Sequence, residues 1–245
     1  MKSIILATTA LTLVAGAALA DGHAKTIRMG TEGAYPPYNF LNDAGEVDGF
    51  EREVGDELCA RAELTCEWVT NDWDSIIPNL TSGNYDTIIA GMSITDERDE
   101  VIDFTQNYIP PAASAYVAAS ADADLTGGVI AAQTSTIQSG YVAESGATLL
   151  EFATYDETVA AVRNGEADAV FADKDALAPS VEESGGELMF VGDDVPLGGG
   201  VGMGLRESDT ELKEKFDAAI TSMKEDGTLN AAIIKWFGED AKTYE

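Results

Sequence analysis

A few side chains in this sequence have the types and spacing to act together on a small charged molecule. Arg98, in the run Ser93-Ile94-Thr95-Asp96-Glu97-Arg98, offers a planar fork of donors matched to a carboxylate, and Ser93 with nearby backbone N–H groups could bond the same anion. Asp173 ends the apolar run Ala169-Val170-Phe171-Ala172, where an unpaired carboxylate would be costly, so a cationic partner explains it better than chance. A cation and an anion facing across a gap suit a small zwitterion. Tyr35 and Trp73 offer aromatic faces for an aliphatic or guanidinium group, with a cation over the ring worth about 0.5–2 kcal/mol. Each residue also has a plainer reading. Arg98 could pair with Asp96, Glu97 or Asp99, Asp173 could cap a helix over 174–183, Ser135 and Thr136 could be turn formers, and Trp73 could be a core staple.

The elements that must position these groups are written twice. Trp73, Asp74, Ile77, Leu80, Ser82, Gly83, Asp86, Ile88, Ile89 and Ala90 match Tyr155, Asp156, Val159, Val162, Asn164, Gly165, Asp168, Val170, Phe171 and Ala172 at one constant offset. Each copy spells an amphipathic helix, a glycine stop and a short buried strand. Two α/β lobes of like build follow, with the ligand beyond the carboxyl ends of the strands. The spacing predicts strands over 26–31, 64–69, 129–132 and 148–152, and a hairpin over 42–49. Ser208 and Glu211 form a capping box for a helix whose buried face is Leu212, Phe216, Ala219, Ile220 and Met223. The glycine-rich run 198–204 lacks the order of a phosphate-binding loop and reads as a flexible return strand. The chain must leave lobe one and come back, so two crossings, near 110–115 and 199–205, make a hinge.

Composition narrows the function. A formal charge of −30 makes nucleic acid an implausible partner. Lys2 followed by the apolar stretch 4–14 and Ala18-Leu19-Ala20 reads as a signal peptide over 1–20, removed on export. In an exported chain the two cysteines, Cys59 and Cys66, read as a structural disulfide. The sole histidine, His23, lies at the expected mature N-terminus, which disfavours histidine-based catalysis. Asp122-x-Asp124-x-Thr126-Gly127 opens like a calcium loop, but Gln133 stands where the bidentate glutamate belongs, so no metal or other cofactor is expected.

The runs Thr31-Glu32-Gly33-Ala34-Tyr35-Pro36-Pro37-Tyr38-Asn39-Phe40, Val47-Asp48-Gly49-Phe50, Trp73-Asp74-Ser75-Ile76-Ile77-Pro78, Ser93-Ile94-Thr95-Asp96-Glu97-Arg98, Ala172-Asp173 and Met203-Gly204-Leu205-Arg206, with Cys59 and Cys66, resemble the polar amino-acid-binding proteins of bacterial ABC importers. The likeness is greatest to the lysine/arginine/ornithine and histidine binders. It implies a two-lobe α/β periplasmic-binding-protein type II fold, with lobe one over 21–111, lobe two over 112–198 and a return over 199–245. It also implies a non-enzymatic monomer in the periplasm that closes on a free amino acid and delivers it to an ABC permease in the inner membrane. By resemblance, Arg98, Ser93, Thr136 and Ser135 take the ligand carboxylate. Asp173 and Gly91 take its amine, and Glu32, Tyr35, Trp73, Ala90 and Met92 form the side-chain pocket. Glu32 matches the acid that meets the distal cation, so a cationic amino acid is the leading ligand. Ala90 and Gly91 stand where many such binders have two serines, which leaves a roomier pocket. An opine or other polar amino acid, or a cyclohexadienyl-dehydratase-like activity on the same fold, is the alternative.

Overall fold

The computed structural model describes residues 25–245, so the predicted leader and His23 lie outside the described residues. Two five-stranded sheets carry the molecule. In the first, Ile27–Thr31 lies parallel to Cys66–Thr70 on one side and to Thr87–Ile88 on the other, and Gly204–Leu205 then pairs antiparallel with both Thr87–Ile88 and Asp103–Phe104. In the second, Val129–Gln133 lies parallel to Thr148–Phe152 and Ala169–Asp173, while Ala113–Ala118 pairs antiparallel with Ala169–Asp173 and Met189–Pro196. The two duplicated strands therefore occupy the same place, each at the centre of its sheet between one parallel and one antiparallel neighbour. A small three-stranded sheet, Ala34–Tyr35, Asn39–Leu41 and Val47–Asp48, covers the predicted hairpin.

Period-two alternation explains why both faces of the second sheet are buried. Val117, Ala131 and Val170 face one core with Val159 and Leu177, whereas Tyr116, Ile130 and Phe171 face another with Val142. In lobe one, helices Phe50–Arg61, Thr210–Glu225 and Thr228–Phe237 pack Leu58, Phe216, Ile220 and Ile233 against Met29. The Cys59–Cys66 disulfide ties the end of the first of these helices to the next strand, with Cα atoms 6.3 Å apart.

The two copies of the repeat differ in their helices. Tyr155–Arg163 is a full helix opened by a capping box from Thr154 and Glu157, whereas the first copy begins as a 3-10 turn, Trp73–Ser75, before Ile76–Thr81. Pro78 sits within the first turn of that short helix, where its missing N–H costs nothing. Gly83 and Gly165 both adopt the left-handed conformation predicted for the stop, at φ 81° and 73°.

One helix start needs correction. The helix predicted to start at Ser208 begins at Thr210 after Asp209, with no side-chain cap. Ser208 instead contacts Asp209, whose carboxylate is held by Arg206 at 2.6 Å. The glycine run returns to the first sheet at Gly204–Leu205 and is tied along its length by backbone bonds. Val201 bridges Ser93 and Ile109, and Gly199, Gly200 and Gly202 bond the backbones of Ile94 and Met92. Its glycines serve close approach: a Cβ on Gly200 would stand 2.5 Å from the Ile109 carbonyl.

Candidate functional site

The strand ends of both lobes converge on one cavity. From lobe one come Glu32, just past Ile27–Thr31, then Trp73, and Ala90, Gly91 and Ser93 beyond Thr87–Ile88. Arg98 enters from the helix Asp96–Asp99. From lobe two come Gln133 and Asp173, each the last residue of its strand, and the start of helix Ile137–Ser145. Arg98 and Asp173 thus line the same cleft.

Among the described residues, three hydrogen bonds join the lobes directly. Tyr35 Oη donates to Asp173 Oδ2 at 2.7 Å, Gln133 Nε2 donates to Glu32 Oε1 at 2.6 Å, and Arg98 Nη2 donates to the Ser135 carbonyl at 3.3 Å. Arg98 Nη1 also donates to the Ser93 carbonyl at 2.8 Å, and its guanidinium lies 5.4 Å from the centre of the Trp73 ring. Trp73 therefore faces a cation of its own lobe, which positions the guanidinium by stacking. Among the described residues no carboxylate lies within ion-pair distance of Arg98, so its acidic neighbours are not its partners.

Electrostatically the cavity is unbalanced. Burial pushes the Glu32 carboxyl up to about 7 and the Asp173 carboxyl up to about 6, and it pulls the Arg98 guanidinium down to about 10. Asp173 stands at the N-cap position of helix Lys174–Glu183, but its side chain makes no cap bond. It accepts from Tyr35 and, at 2.8 Å, from Gln138 Nε2. Thr136 does cap its helix: its hydroxyl accepts from Ser139 N at 3.1 Å and donates to the Gln133 carbonyl at 2.7 Å. Its hydroxyl proton is thereby committed, and what this turn can offer an anion is backbone N–H at a helix start.

Glu32, Tyr35, Trp73, Ala90, Gly91, Ser93, Arg98, Thr136 and Asp173 are all brought to the cavity wall. Met92 is not. The left-handed turn at Gly91, φ 63°, breaks the strand alternation, and Met92 is fully buried with Ile88 and Phe104. Ser135 lies outside the wall and gives only its carbonyl to Arg98. Sequence reasoning missed Gln133, Gln138, Tyr155, Thr158 and Phe171 as wall residues. For Tyr155 a signal existed: it is the repeat counterpart of Trp73.

The whole chain is similar to known proteins. A periplasmic His/Glu/Gln/Arg/opine family-binding protein from Silicibacter pomeroyi, crystallised in complex with lysine, is 84% identical and superposes with a TM-score of 0.88 over 89% of this chain and 100% of that one. The octopine-binding periplasmic protein of Rhizobium meliloti is 33% identical, covering 98% of both chains. The lysine/arginine/ornithine-binding periplasmic protein of Escherichia coli is 30% identical, covering 97% of both. The family model of bacterial extracellular solute-binding proteins, family 3, matches residues 27–239, across both sheets and every wall residue named above, and the chain belongs to that family.

Proposed function

We propose that this protein captures a free amino acid with a cationic side chain in the closed cleft and presents it to an ABC permease. The observation that carries the reading is the charge inventory of the buried wall: one guanidinium, Arg98, and two carboxylates, Asp173 and Glu32. A ligand with one carboxylate and two ammonium or guanidinium groups complements it charge for charge. A neutral amino acid would leave Glu32 buried without a cation, which is costly. In this reading the ligand carboxylate meets Arg98, Ser93 and the backbone around Ser135 and Thr136. Its α-ammonium meets Asp173 and a backbone carbonyl beside Gly91, and its distal cation meets Glu32 between Tyr35, Trp73 and Ala90. The 84% identical relative was crystallised with lysine, which supports this class of ligand.

Closure follows from differential affinity: both halves of the clamp engage the ligand only when the lobes are shut, so binding shifts the population toward the closed form. The leader over 1–20 would be removed on export, leaving a periplasmic monomer whose single chain supplies the whole site. The relatives are binding proteins, which sets the dehydratase reading aside.

Calorimetric titration with lysine, arginine, ornithine, histidine, glutamine and octopine tests the reading. Cationic amino acids bind tightest, and Glu32→Gln weakens them selectively, by about tenfold or more for a lost charged hydrogen bond. Equal loss for glutamine and lysine in that variant would refute the role of Glu32, and preference for octopine over lysine would move the ligand to the opines.

A further inference from the structure

Glu51, in the first turn of helix Phe50–Arg61, is fully buried and has no cation within ion-pair distance among the described residues. Its partners are all donors. The Gly91 N–H donates to Oε1 at 2.6 Å, the Tyr108 hydroxyl donates to the same oxygen, and Asn39 Nδ2 donates to Oε2 at 2.7 Å. Asn39 in turn accepts at Oδ1 from the Gly33 N–H at 2.6 Å. Gly33 follows Glu32 and Gly91 follows Ala90, so one carboxylate grips both strand-end loops from which lobe one presents its ligand groups.

Both glycines are left-handed, at φ 73° and 63°. Without side chains, their backbone amides are what the core can hold. At Gly91 a Cβ would lie 3.3 Å from the Tyr35 ring, so the bare backbone lets Tyr35 lie close while its hydroxyl reaches Asp173. Three converging donors require a group that only accepts, and among side chains of this shape the carboxylate is that group.

We propose that Glu51 is a positioning residue for ligand binding: through the amides of Gly91 and, by way of Asn39, Gly33, it sets the spacing between the Ala90–Gly91 wall and Glu32. The inference rests on the amino-acid-binding reading for its affinity readout, and on backbone amides for a readout independent of it.

Glu51→Gln keeps the volume but turns one acceptor into a donor. If the new amide faces Asn39, that side chain must flip, and its own NH2 then opposes the Gly33 N–H; if it faces Gly91, that bond is lost. In the full chain, with lysine as the probe, Glu51→Gln lowers affinity about 10- to 100-fold, the range for a lost hydrogen bond to a charged group. The amide resonances of Gly33 or Gly91 shift in the ligand-free protein. Tyr108→Phe, which costs stability but leaves both loop bonds intact, keeps lysine affinity within about threefold of the parent, less than about 1 kcal/mol. Asn39→Ala, which cuts only the Gly33 branch, lowers the preference for lysine over glutamine, and it serves alone if Glu51→Gln does not fold. Folded Glu51→Gln with unchanged lysine affinity overturns the proposal. So do equal losses in Glu51→Gln and Tyr108→Phe with both glycine resonances unmoved, or an Asn39→Ala protein with unchanged preference. If the parent binds no amino acid, the functional reading fails while the glycine resonances still test the positioning.

Discussion

The Tyr35 hydroxyl of lobe one donates to the Asp173 carboxylate of lobe two at 2.7 Å, a direct bond across the cleft between residues 138 positions apart. It pins the acid that would meet a ligand α-ammonium, and it helps hold the lobes shut. Tyr35 lies edge-on to Tyr155, with ring centres 5.2 Å apart, so aromatic packing from lobe two fixes the ring that carries the hydroxyl. Tyr35→Phe therefore weakens every amino-acid ligand alike, by about tenfold for one hydrogen bond to a charged group, and leaves selectivity unchanged. Calorimetric titration with lysine and glutamine checks this; a loss confined to lysine would contradict it.

Arg98 donates to the Ser93 and Ser135 carbonyls and stacks on Trp73, which leaves its remaining N–H groups for an anion. Arg98→Ala removes the counter-charge for any ligand carboxylate, at a cost of about 2–5 kcal/mol, and should abolish measurable binding of all amino acids. Arg98→Lys should recover little of it, because an ammonium matches neither the fork nor the stacking. Thermal-shift assays with a saturating amino-acid panel report both variants.

The cleft carboxylates make stability and affinity respond to pH in opposite directions. In the folded protein burial holds Glu32 at about 7 and Asp173 at about 6, whereas in an unfolded chain both titrate near 4. Between those values the folded protein binds more protons than the unfolded one, so the penalty of the two buried charges is fully present above about 7 and is relieved as pH falls toward 5. Ligand cations need both groups ionised, so lysine affinity falls over that same acid descent. The difference between parent and Glu32→Gln, in melting temperature and in lysine affinity across about pH 5 to 8, isolates the upper part of this window. A lysine affinity that stays flat across that range would contradict it.

The Cys59–Cys66 bond closes a short loop, and neither cysteine is part of the cavity wall. Replacing both cysteines by serine should lower unfolding free energy by about 2–3 kcal/mol on the chain-entropy model while leaving lysine affinity within error of the parent. Denaturant unfolding and calorimetry measure the two separately. A large affinity loss would mean that the Phe50–Arg61 helix, which carries Glu51, had moved.

Residues that act within one element were legible in the sequence. The constant offset between Trp73 and Tyr155, the glycine stops at Gly83 and Gly165, and the apolar strand ending at Asp173 are local patterns of period and conformation, and they sufficed for two α/β lobes with a cation on one and an anion on the other. The tertiary structure decided what depends on chain segments meeting. Gln133 on Glu32, Gln138 on Asp173, and Trp73 beneath Arg98 are contacts that no spacing encodes, because the first forms only when the lobes shut and the other two only when separate segments of one lobe pack together. Met92 and Ser208 failed for a related reason. A single left-handed turn at Gly91 redirected one side chain into the core, and the Arg206–Asp209 ion pair shifted a helix start, so a local pattern yielded to a neighbour's conformation. Glu51 is the extreme case: in sequence it is an acid at a helix start, and only the folded chain shows three donors converging on it.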